Sequence, residues 1–481
     1  MSLEQLRDER VFYHFEELTK IPRCSKNEEQ ISNYLYDFGV SLGLETHRDK
    51  AMNIIIKKPA SVGYEDKPAV IIQGHMDMVC EKNETCDINF DTDPIIAEVD
   101  GDFVVARETT LGADNGIAVA MGMAILEDNS LKHPKIELLV TTDEETSMTG
   151  ANNLESKYLE GTRLLNIDSE EEGVATVSCA GGERDNLKLP IVRNSTEEFV
   201  ELYKITVGGL LGGHSGIDID TGRGNANKLL GRALYTVYKD IDFRVVDIEG
   251  GSKDNAIPRL ASATIAIASE DAKKLEEIII GLNSDYKNEY THTDSGVELS
   301  IEKTDSELNP MDEETTENII SLLILIPNGV NTLSPTIEGL VESSTNLGVV
   351  TVEGDFVVFK NAPRSALESI KEEIVDKFEL LADLFGGEVI RTSSYPAWEY
   401  QEDSELKDLV LKTYKDMFGK DMVISATHGG LECGLFKEVI GDIEMISIGP
   451  DIFSPHAPGE KMSISSVRRT YDLVRQILEN M

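Results

Sequence analysis

Short, uninterrupted apolar runs in the first third of the chain constrain its fold more than any other feature. They occur in PAVIIQGHMD, PKIELLVTTDEE and TRLLNIDSE, and helical patterns such as DNGIAVAMGMAILED lie between them. A continuous apolar run indicates a strand buried on both faces, and helices between such strands indicate parallel pairing. We therefore predict an α/β domain in which a mostly parallel sheet is flanked by helices.

The pattern changes near Gly181 to longer alternating segments, such as EFVELYKITVGGL and GVELSIEKT. Alternation of apolar and polar residues is typical of antiparallel strands with one solvated face. Helix–strand alternation returns after SSYPAW. The prediction is an α/β domain at residues 1–181 and 396–481, interrupted by an inserted α+β domain at 182–395 built on antiparallel sheet.

Charge and hydropathy exclude several classes of protein. The 481 residues include 88 acidic and 45 basic side chains, a net charge of −43, which argues against binding nucleic acid. No apolar run approaches the roughly 20 residues that a membrane span needs. The first residues are charged throughout and lack the apolar core of a signal peptide. We expect a soluble, cytoplasmic protein without membrane partners.

The cysteines are scattered and odd in number, with no CxxC pair. This pattern does not suggest a disulfide framework, and it fits a reducing compartment. Because there is no CxxC pair, we do not expect a zinc site with thiolate ligands. The five are Cys24, Cys80, Cys86, Cys179 and Cys433.

Potential metal ligands stand where the predicted strands end or helices begin. Ligands in open α/β sheets gather at the carboxyl ends of strands, and a carboxylate is favoured at the start of a helix. Each such residue alone is weak evidence, because a single His or Asp is more often a surface or capping residue. Together the set is hard to dismiss: His75, Asp77, Asp114, Glu144, Glu145, Asp168 and His456.

The types of side chain in this set predict a two-metal site. Imidazole with carboxylate suits Zn²⁺ and similar ions. Two His and at least three carboxylates are too many for one catalytic zinc, which takes three protein ligands. They suit two ions about 3.5–4 Å apart that share a carboxylate, as in two-metal hydrolases.

Two spacings add roles within this site. Asp77 lies two residues after His75, so it shares a strand face and can orient the imidazole of that His. Glu144 and Glu145 are adjacent, so both enter one site only if the strand has ended before them. One would then bind metal while the other accepts a proton. Their spacing does not say which does which.

Motifs in a fixed order carry a resemblance over nearly the whole chain. The motifs are QGHMDMV, TTLGADNGI, DEETSMTGA, NIDSEEEG, CAGG, GGHSG, GNANKLL, NAIPR, IPNGV, GLECGLF and SIGPDIFSPHAPGE. With these motifs the sequence resembles the aminoacyl-histidine (Xaa-His) dipeptidase family of di-zinc metallopeptidases, which is related to the carnosinases.

The resemblance implies roles in the first domain. One metal would be held by His75 and Asp168 and the other by Glu145 and His456. Asp114 would bridge them, and a cis peptide bond would follow it. Glu144 would be the general base and Asp77 the catalytic Asp that supports His75. The ions would be two divalent cations, zinc first, with manganese or cobalt as alternatives.

The inserted domain resembles a lid. The resemblance implies that His214 stabilises an oxyanion, within its own subunit or across a dimer. It also implies that Asn255, Arg364 and His428 bind substrate. Arg364 is the natural partner for the C-terminal carboxylate of a dipeptide, since its guanidinium can bind bidentately.

We therefore expect a dipeptidase acting on Xaa-His and other short dipeptides, and a homodimer. The alternatives are an aminoacylase or broader di- or tripeptidase, and an inactive acidic binding protein, against which the intact set of candidate residues speaks. Three positions depart from the family pattern: Asp143, commonly neutral, Ser147, usually Gly, and Gly430, typically Ala. Asp143 is either a charge near the metals or a solvated strand end, and we favour the second.

Overall fold

The computed structural model describes residues 3–194 and 199–481. The chain forms two compact units, each discontinuous in sequence. The first comprises Met1–Ser178, Trp398–Ala426 and Leu431–Met481, and the second comprises Cys179–Ala397 with Thr427–Gly430. The domain boundaries predicted from the sequence place residues 427–430 in the first domain. In the structure the contacts of these four residues group them with the second unit.

The helices range from single turns to 18 residues. Their bounds are α1 Arg10–Thr19, α2 Glu29–Ser41, α3 Ala113–Glu127, α4 Glu144–Ser147, α5 Thr149–Asn152, α6 Ala226–Tyr238, α7 Ala272–Glu289, α8 Glu313–Leu325, α9 Glu368–Phe385, α10 Glu405–Phe418, α11 Glu432–Ile440 and α12 Ile464–Asn480.

The strands of the first stretch of chain are β1 Glu45–Arg48, β2 Ile54–Lys58, β3 Val70–His75, β4 Glu98–Asp100, β5 Phe103–Val105, β6 Ile136–Thr141, β7 Arg163–Asn166 and β8 Val174–Cys179. Those of the middle stretch are β9 Gly181–Pro190, β10 Glu201–Gly208, β11 Gly213–His214, β12 Phe243–Gly250, β13 Ala256–Ile257, β14 Ala261–Ile267, β15 Glu298–Thr304, β16 Gly329–Leu333, β17 Val341–Thr345, β18 Leu347–Glu353, β19 Phe356–Asn361, β20 Arg364–Ser365 and β21 Glu388–Tyr395. The last stretch contributes β22 Val423–Thr427, β23 Glu444–Ser447, β24 Ile452–Phe453 and β25 Lys461–Ser463.

An eight-stranded sheet organises the first unit, in the order β1-β2-β6-β3-β7-β23-β8-β22. The four central strands β6, β3, β7 and β23 are parallel to one another. The pairs β1–β2, β2–β6 and β23–β8 are antiparallel. The predicted parallel sheet is therefore confirmed at the centre, with antiparallel strands outside it. The buried apolar runs supply the parallel strands.

Helix α3 is buried from Ala113 to Leu126. A helix that is apolar on all sides belongs in a core rather than at a surface. It packs closely on the sheet: a Cβ added at Gly122 would lie 2.3 Å from Leu138 of β6. This packing fixes the start of α3, where Asp114 stands, relative to the ends of the central strands.

The second unit is built on an eleven-stranded sheet in the order β15-β10-β14-β12-β18-β19-β9-β20-β17-β16, with β21 also paired to β9. Its described strand pairs are antiparallel. Helices α6, α7, α8 and α9 cover its core, in which Leu234, Phe243, Phe359 and Phe378 are fully buried. The alternating pattern thus predicted the type of sheet correctly.

One disulfide corrects the expectation from the cysteine pattern. Cys24 and Cys80 are bonded, with their Cα atoms 5.7 Å apart, and Cys86, Cys179 and Cys433 do not take part in a disulfide. The two are 56 residues apart in sequence. They meet because Cys24 lies in a bridge with Met78, just after the end of β3. Spacing alone does not reveal a pairing made by tertiary contact.

Candidate metal centre

The carboxyl ends of β6, β3 and β7 bring three ligand-bearing segments together. His75 is the last residue of β3 and is paired in register with Thr141, the last residue of β6. On the other side of β3, β7 ends at Asn166, and Asp168 follows two residues later. Since parallel neighbours end at the same edge, His75, Glu144, Glu145 and Asp168 leave the sheet side by side.

Asp114 lies between two histidines that are far apart in sequence. Its Oδ1 is 3.1 Å from Nε2 of His75, and its Oδ2 is 3.0 Å from Nε2 of His456. Asp168 Oδ1 lies 3.4 Å from Nε2 of His75, and Glu145 Oε2 lies 3.0 Å from Nε2 of His456. One carboxylate therefore offers one oxygen to each of two groups of potential ligands.

Donor atoms converge closely enough to hold cations in three overlapping groups of the described residues. Within each group the atoms lie within 4.8 Å of one another. The groups are His75 with Asp114 and Asp168, His75 with Glu144 and Glu145, and Asp114 with Glu145 and His456. The seven residues singled out in the sequence are thus brought together, six as members of these groups and Asp77 as their neighbour.

Asp77 organises the segments around it. This carboxylate is fully buried, and Oδ1 lies 3.3 Å from Nδ1 of His75. It accepts hydrogen bonds from the hydroxyl of Ser25 (2.8 Å) and from the backbone amides of Glu144 (3.1 Å) and Glu145 (3.3 Å). Asp77 therefore orients the imidazole of His75 and holds the two adjacent glutamates in place.

The turn after β6 explains how adjacent glutamates enter one site. The strand ends at Thr141, and Asp143 adopts a left-handed conformation with φ 53° before the short helix α4 begins at Glu144. The strict alternation of a strand no longer applies there. The expectation that the strand stops before the glutamates is confirmed.

Asp143 is buried, which corrects its interpretation as a solvated strand end. Only 5% of the residue is exposed, and its carboxylate accepts hydrogen bonds from the hydroxyls of Thr146 and Thr149. Its amide donates to Oε1 of Glu28 at 3.1 Å. The side chain therefore braces the turn that carries the two glutamates, and the left-handed backbone turns it inward.

The electrostatics of the cluster follow from crowding of carboxylates. Burial raises the pKa of Asp168 to about 6, with help from Asp114 and Glu145 and against the opposing effect of His75. Burial likewise raises the pKa of Glu144 well above its usual value. Hydrogen bonds to Asp114 and Glu145 raise the pKa of His456 to about 11. Such a group favours added positive charge.

Asn115, which was not among the predicted site residues, links two of the ligand-bearing segments. Its peptide bond with Asp114 is cis, as the resemblance implied. The side chain accepts a hydrogen bond from the amide of His75 (3.3 Å) and donates one to the carbonyl of Ile167 (2.7 Å). Its position directly after Asp114 was the available signal.

A buried glutamate supports the sheet below the cluster. Glu432 accepts hydrogen bonds from Gln73 (2.6 Å) on β3 and from Thr141 (2.8 Å) at the end of β6. Burial raises its pKa to about 8, in spite of His75 and Thr141. It stands in the GLECGLF motif, but 291 residues separate it from Thr141, so no local pattern indicated this contact.

The other predicted site residues belong to the second unit. Two backbone hydrogen bonds fix the tautomer of His214 on β11. Its Nδ1 accepts from the amides of Gly216 (3.3 Å) and Ile217 (3.2 Å), so the proton is on Nε2. Burial and the nearby Arg364 lower its pKa. The imidazole is therefore neutral at neutral pH, with an N–H available to donate.

Arg364 and His428 lie together in this unit. Nη1 of Arg364 donates to the hydroxyl of Tyr395 (2.8 Å) and to the carbonyl of His428 (3.4 Å). Nε2 of His428 is 2.7 Å from the hydroxyl of Ser344, and burial, with Arg364, lowers the pKa of His428 to about 4. Tyr395 and Ser344 were not predicted.

Asn255 is close to this group through the backbone. Its carbonyl accepts a hydrogen bond from Ser215 at 2.9 Å, and its neighbour Ala256 pairs with His214 across β11 and β13. The loop that carries His214 also contacts the carbonyl of His428, since a Cβ added at Gly216 would lie 3.0 Å from that oxygen. Asn255 therefore lies next to the segment that carries His214, and His428 lies next to both that segment and Arg364.

No helix among the described residues is long and apolar enough to cross a membrane.

Known proteins resemble the chain over its full length. The cytosol non-specific dipeptidase of Escherichia coli is 38% identical over 480 residues, covering 100% of this chain and 99% of that protein. The crystal structure of aminoacylhistidine dipeptidase from Vibrio alginolyticus matches with a TM-score of 0.93 and 38% identity, covering 100% of this chain and 98% of that one.

A more distant structure and a family model agree with these relatives. Aminopeptidase PepT from Bacillus cereus shares the fold, with a TM-score of 0.57, 16% identity and 98% of each chain covered. The model of peptidase family M20/M25/M40 matches residues 71–480. The resemblance drawn from the motifs and the fold class predicted from the hydrophobic pattern are thereby confirmed. The chain belongs to peptidase family M20/M25/M40.

Proposed function

We propose that this member of the peptidase family is a metal-dependent dipeptidase that hydrolyses Xaa-His and other short dipeptides. The observation that carries the proposal is the position of Asp114, with one carboxylate oxygen at each of two histidines in separate ligand groups. That arrangement suits a carboxylate shared by two ions. The names of the Escherichia coli and Vibrio relatives support the choice of dipeptides.

The residues present fit two divalent cations. The donors are imidazole and carboxylate, which suit zinc, and Glu145 Oε1 is buried without a hydrogen-bond partner among the described residues. In the proposal His75 and Asp168 hold one ion, Glu145 and His456 hold the other, and Asp114 bridges them. We propose zinc as the metal. Divalent ions held there supply Lewis-acid chemistry, which polarises a carbonyl and lowers the pKa of water.

Glu144 is proposed as the general base. It belongs to the ligand group around His75, and its amide is fixed by Asp77 at 3.1 Å. Burial raises its pKa well above the usual value for a glutamate, which makes its carboxylate a stronger proton acceptor. Glu144 takes a proton from the attacking water and delivers it to the leaving amine. Asp77 keeps His75 and Glu144 oriented throughout.

The second unit supplies groups for the substrate in this proposal. The Nε2–H of His214 is free to donate to a developing oxyanion. Arg364 is buried, and its Nε has no hydrogen-bond partner among the described residues, so it can pair with the C-terminal carboxylate of a dipeptide. His428 and Asn255 complete the substrate-binding set.

An assay on a matched panel tests the proposal. The panel contains Xaa-His and Xaa-Ala dipeptides, a tripeptide and an N-acetylated amino acid, each with and without prior removal of metal by a chelator. We expect metal-dependent cleavage of the dipeptides, with full recovery on adding zinc. Preferred cleavage of the acetylated amino acid would identify an aminoacylase, and cleavage of the tripeptide a broader peptidase. No cleavage by metal-loaded protein would overturn the proposal and favour a binding protein.

Two further proposals concern the whole protein. A cytoplasmic location is supported by the name of the Escherichia coli relative, a cytosol dipeptidase. A homodimer rests on the resemblance alone, and light scattering coupled to size-exclusion chromatography tests it. A mass of 53.0 kDa in solution, that of a single chain, would contradict the dimer.

A further inference from the structure

We infer that Glu460 is a positioning residue for the metal centre, because its carboxylate holds the backbone turn that presents Asp114. The inference rests on the proposed function, in which Asp114 bridges two ions. Glu460 itself is only 1% exposed and belongs to none of the ligand groups.

Four consecutive backbone amides converge on this carboxylate. Oε2 accepts from Leu111 (2.6 Å) and Gly112 (2.9 Å), and Oε1 accepts from Ala113 (2.8 Å) and Asp114 (3.3 Å). Both oxygens are therefore used twice. Each of the four N–H groups therefore has an acceptor, and one carboxyl group with two oxygens supplies all of them.

The turn needs such support because it does not support itself. Gly112 has φ 69°, and Asp114 has ψ 109°, so the backbone of neither residue is helical, although α3 is counted from Ala113. The first amides of a helix lack partners within the helix. Without Glu460 these four amides would be buried and unpaired, and the backbone that carries Asp114 would shift to satisfy them.

Arg23 holds the opposite side of the same turn. Its Nη2 donates to the carbonyl of Gly112 at 2.5 Å, and Nη1 donates to the carbonyls of Met76 (3.1 Å) and Asp77 (3.2 Å). The guanidinium thus ties the turn before Asp114 to the segment that follows His75. Glycine makes room for it: a Cβ added at Gly112 would lie 2.3 Å from Nη2.

A positioning role and a general structural role make different predictions. A residue that only stabilises the fold lowers the melting temperature of the metal-free protein but leaves the zinc affinity of the folded protein unchanged. A residue that positions Asp114 changes zinc affinity itself. Loss of a hydrogen bond that orients a metal ligand typically weakens metal binding about 10–100-fold.

The test is Glu460→Gln, which keeps the size of the side chain but presents an NH₂ group to two of the four amides. Metal-free protein is titrated with zinc in competition with a chromophoric chelator, and its fold is checked by circular dichroism. We expect zinc affinity to fall about 10–100-fold. Glu479→Gln, a matched change at an exposed glutamate of α12, should bind zinc as the unaltered protein does.

Each outcome decides the matter. Zinc affinity within twofold of the unaltered protein in folded Glu460→Gln would overturn the inference and leave the proposed function standing. Failure of the unaltered protein to bind zinc, manganese or cobalt would overturn both. If Glu460→Gln does not fold, Arg23→Lys serves instead. It retains the charge but cannot reach all three carbonyls, and it should weaken zinc binding about tenfold or more; unchanged affinity there would also overturn the inference.

Discussion

The polar clusters of the two units have opposite charge character. In the first unit Asp77, Asp114, Glu144, Glu145 and Asp168 surround two histidines, and the acids outnumber the bases. In the second, Arg364 and two histidines lie together, and the nearby acids are already paired: Asp254 with Arg184 and Asp218 with Arg223. Among the described residues Arg364 has no carboxylate within ion-pair distance.

The difference shows what each cluster needs from outside the chain. Burying unpaired charge is unfavourable, and the cost falls when a counter-charge binds. The charge of the first cluster favours binding of cations, and the charge of the second favours binding of an anion. In the proposed function, two metal ions would satisfy the first cluster and the carboxylate of a dipeptide would satisfy the second.

The largest expected effect is on kcat, and it comes from a substitution in the first cluster that should leave metal binding unchanged. Glu144→Gln removes the proposed base but retains its shape, so kcat should fall about 10²–10⁴-fold with zinc content unchanged. Steady-state kinetics and elemental analysis of the same preparation measure the two quantities. Near-normal turnover in the variant would remove Glu144 from the role of base.

We expect both His75 and His456 to be required for zinc binding, and loss of the buried His75 to weaken it more. His75 is 1% exposed and ordered by Asp77 and Asn115, whereas the side chain of His456 is 49% exposed on a loop. We expect His75→Ala and His456→Ala to weaken zinc binding more than the ~10–100-fold of an outer hydrogen-bond partner. Elemental analysis after dialysis reports the loss. Unchanged stoichiometry in either variant would remove that His from the ligands.

The positive charge of Arg364 in the second cluster should affect the binding of substrate and not the binding of metal. Arg364→Lys keeps the charge but loses bidentate geometry, so KM for dipeptides should rise about 10–100-fold, the range expected for charged hydrogen bonds worth about 1.5–3 kcal/mol. A dipeptide amide, which lacks the carboxylate, is the control substrate and should be cleaved equally by both proteins. An equal rise in KM for both substrates would contradict pairing with the carboxylate.

A smaller effect concerns an acid of the second unit that has no role in the site. Asp185 is fully buried, and neither of its carboxylate oxygens has a hydrogen-bond partner within the described part of the chain. Burial, reinforced by Glu183, raises its pKa to about 7 against the opposing charges of Arg391 and Lys371. The unfolded pKa is about 3.9. The folded protein therefore binds the extra proton between about pH 4 and 7, and stability falls as pH rises through that window.

Asp185→Asn should remove this slope and raise the stability at pH 8 by about 1–3 kcal/mol. Melting temperatures measured from pH 5 to 8 test the sign. Asp376→Asn, a change at an exposed aspartate of α9, is the matched control and should leave the profile as it is. A melting temperature at pH 8 below that of the unaltered protein would contradict the prediction.

The site residues that follow buried apolar runs could be predicted from the sequence, because neighbouring parallel strands end at the same edge of the sheet. His75, Glu145 and Asp168 follow from that rule, and the group at His214 and Arg364 follows only from the resemblance. The order of motifs predicted the family, and the hydrophobic pattern predicted the two sheet types.

Other features depend on contacts that no local pattern encodes. Asp143 is buried because a left-handed residue turns it inward. Glu460 acts on backbone amides, which are identical for every residue type and therefore leave no mark in the sequence. The disulfide of Cys24 and Cys80 arises from a strand-end bridge between distant segments. In each case the physical cause is tertiary, so spacing and periodicity could not show it.

The assignment of Thr427–Gly430 to the second unit has a practical consequence for dissecting the protein. A fragment spanning 179–397 would omit His428, and with it the partner of the Ser344 hydroxyl and a carbonyl that Arg364 contacts. If these residues bind substrate as proposed, that fragment would bind a dipeptide more weakly than the intact chain does. A peptide carrying 423–431, added in trans, is the complement that such a fragment requires.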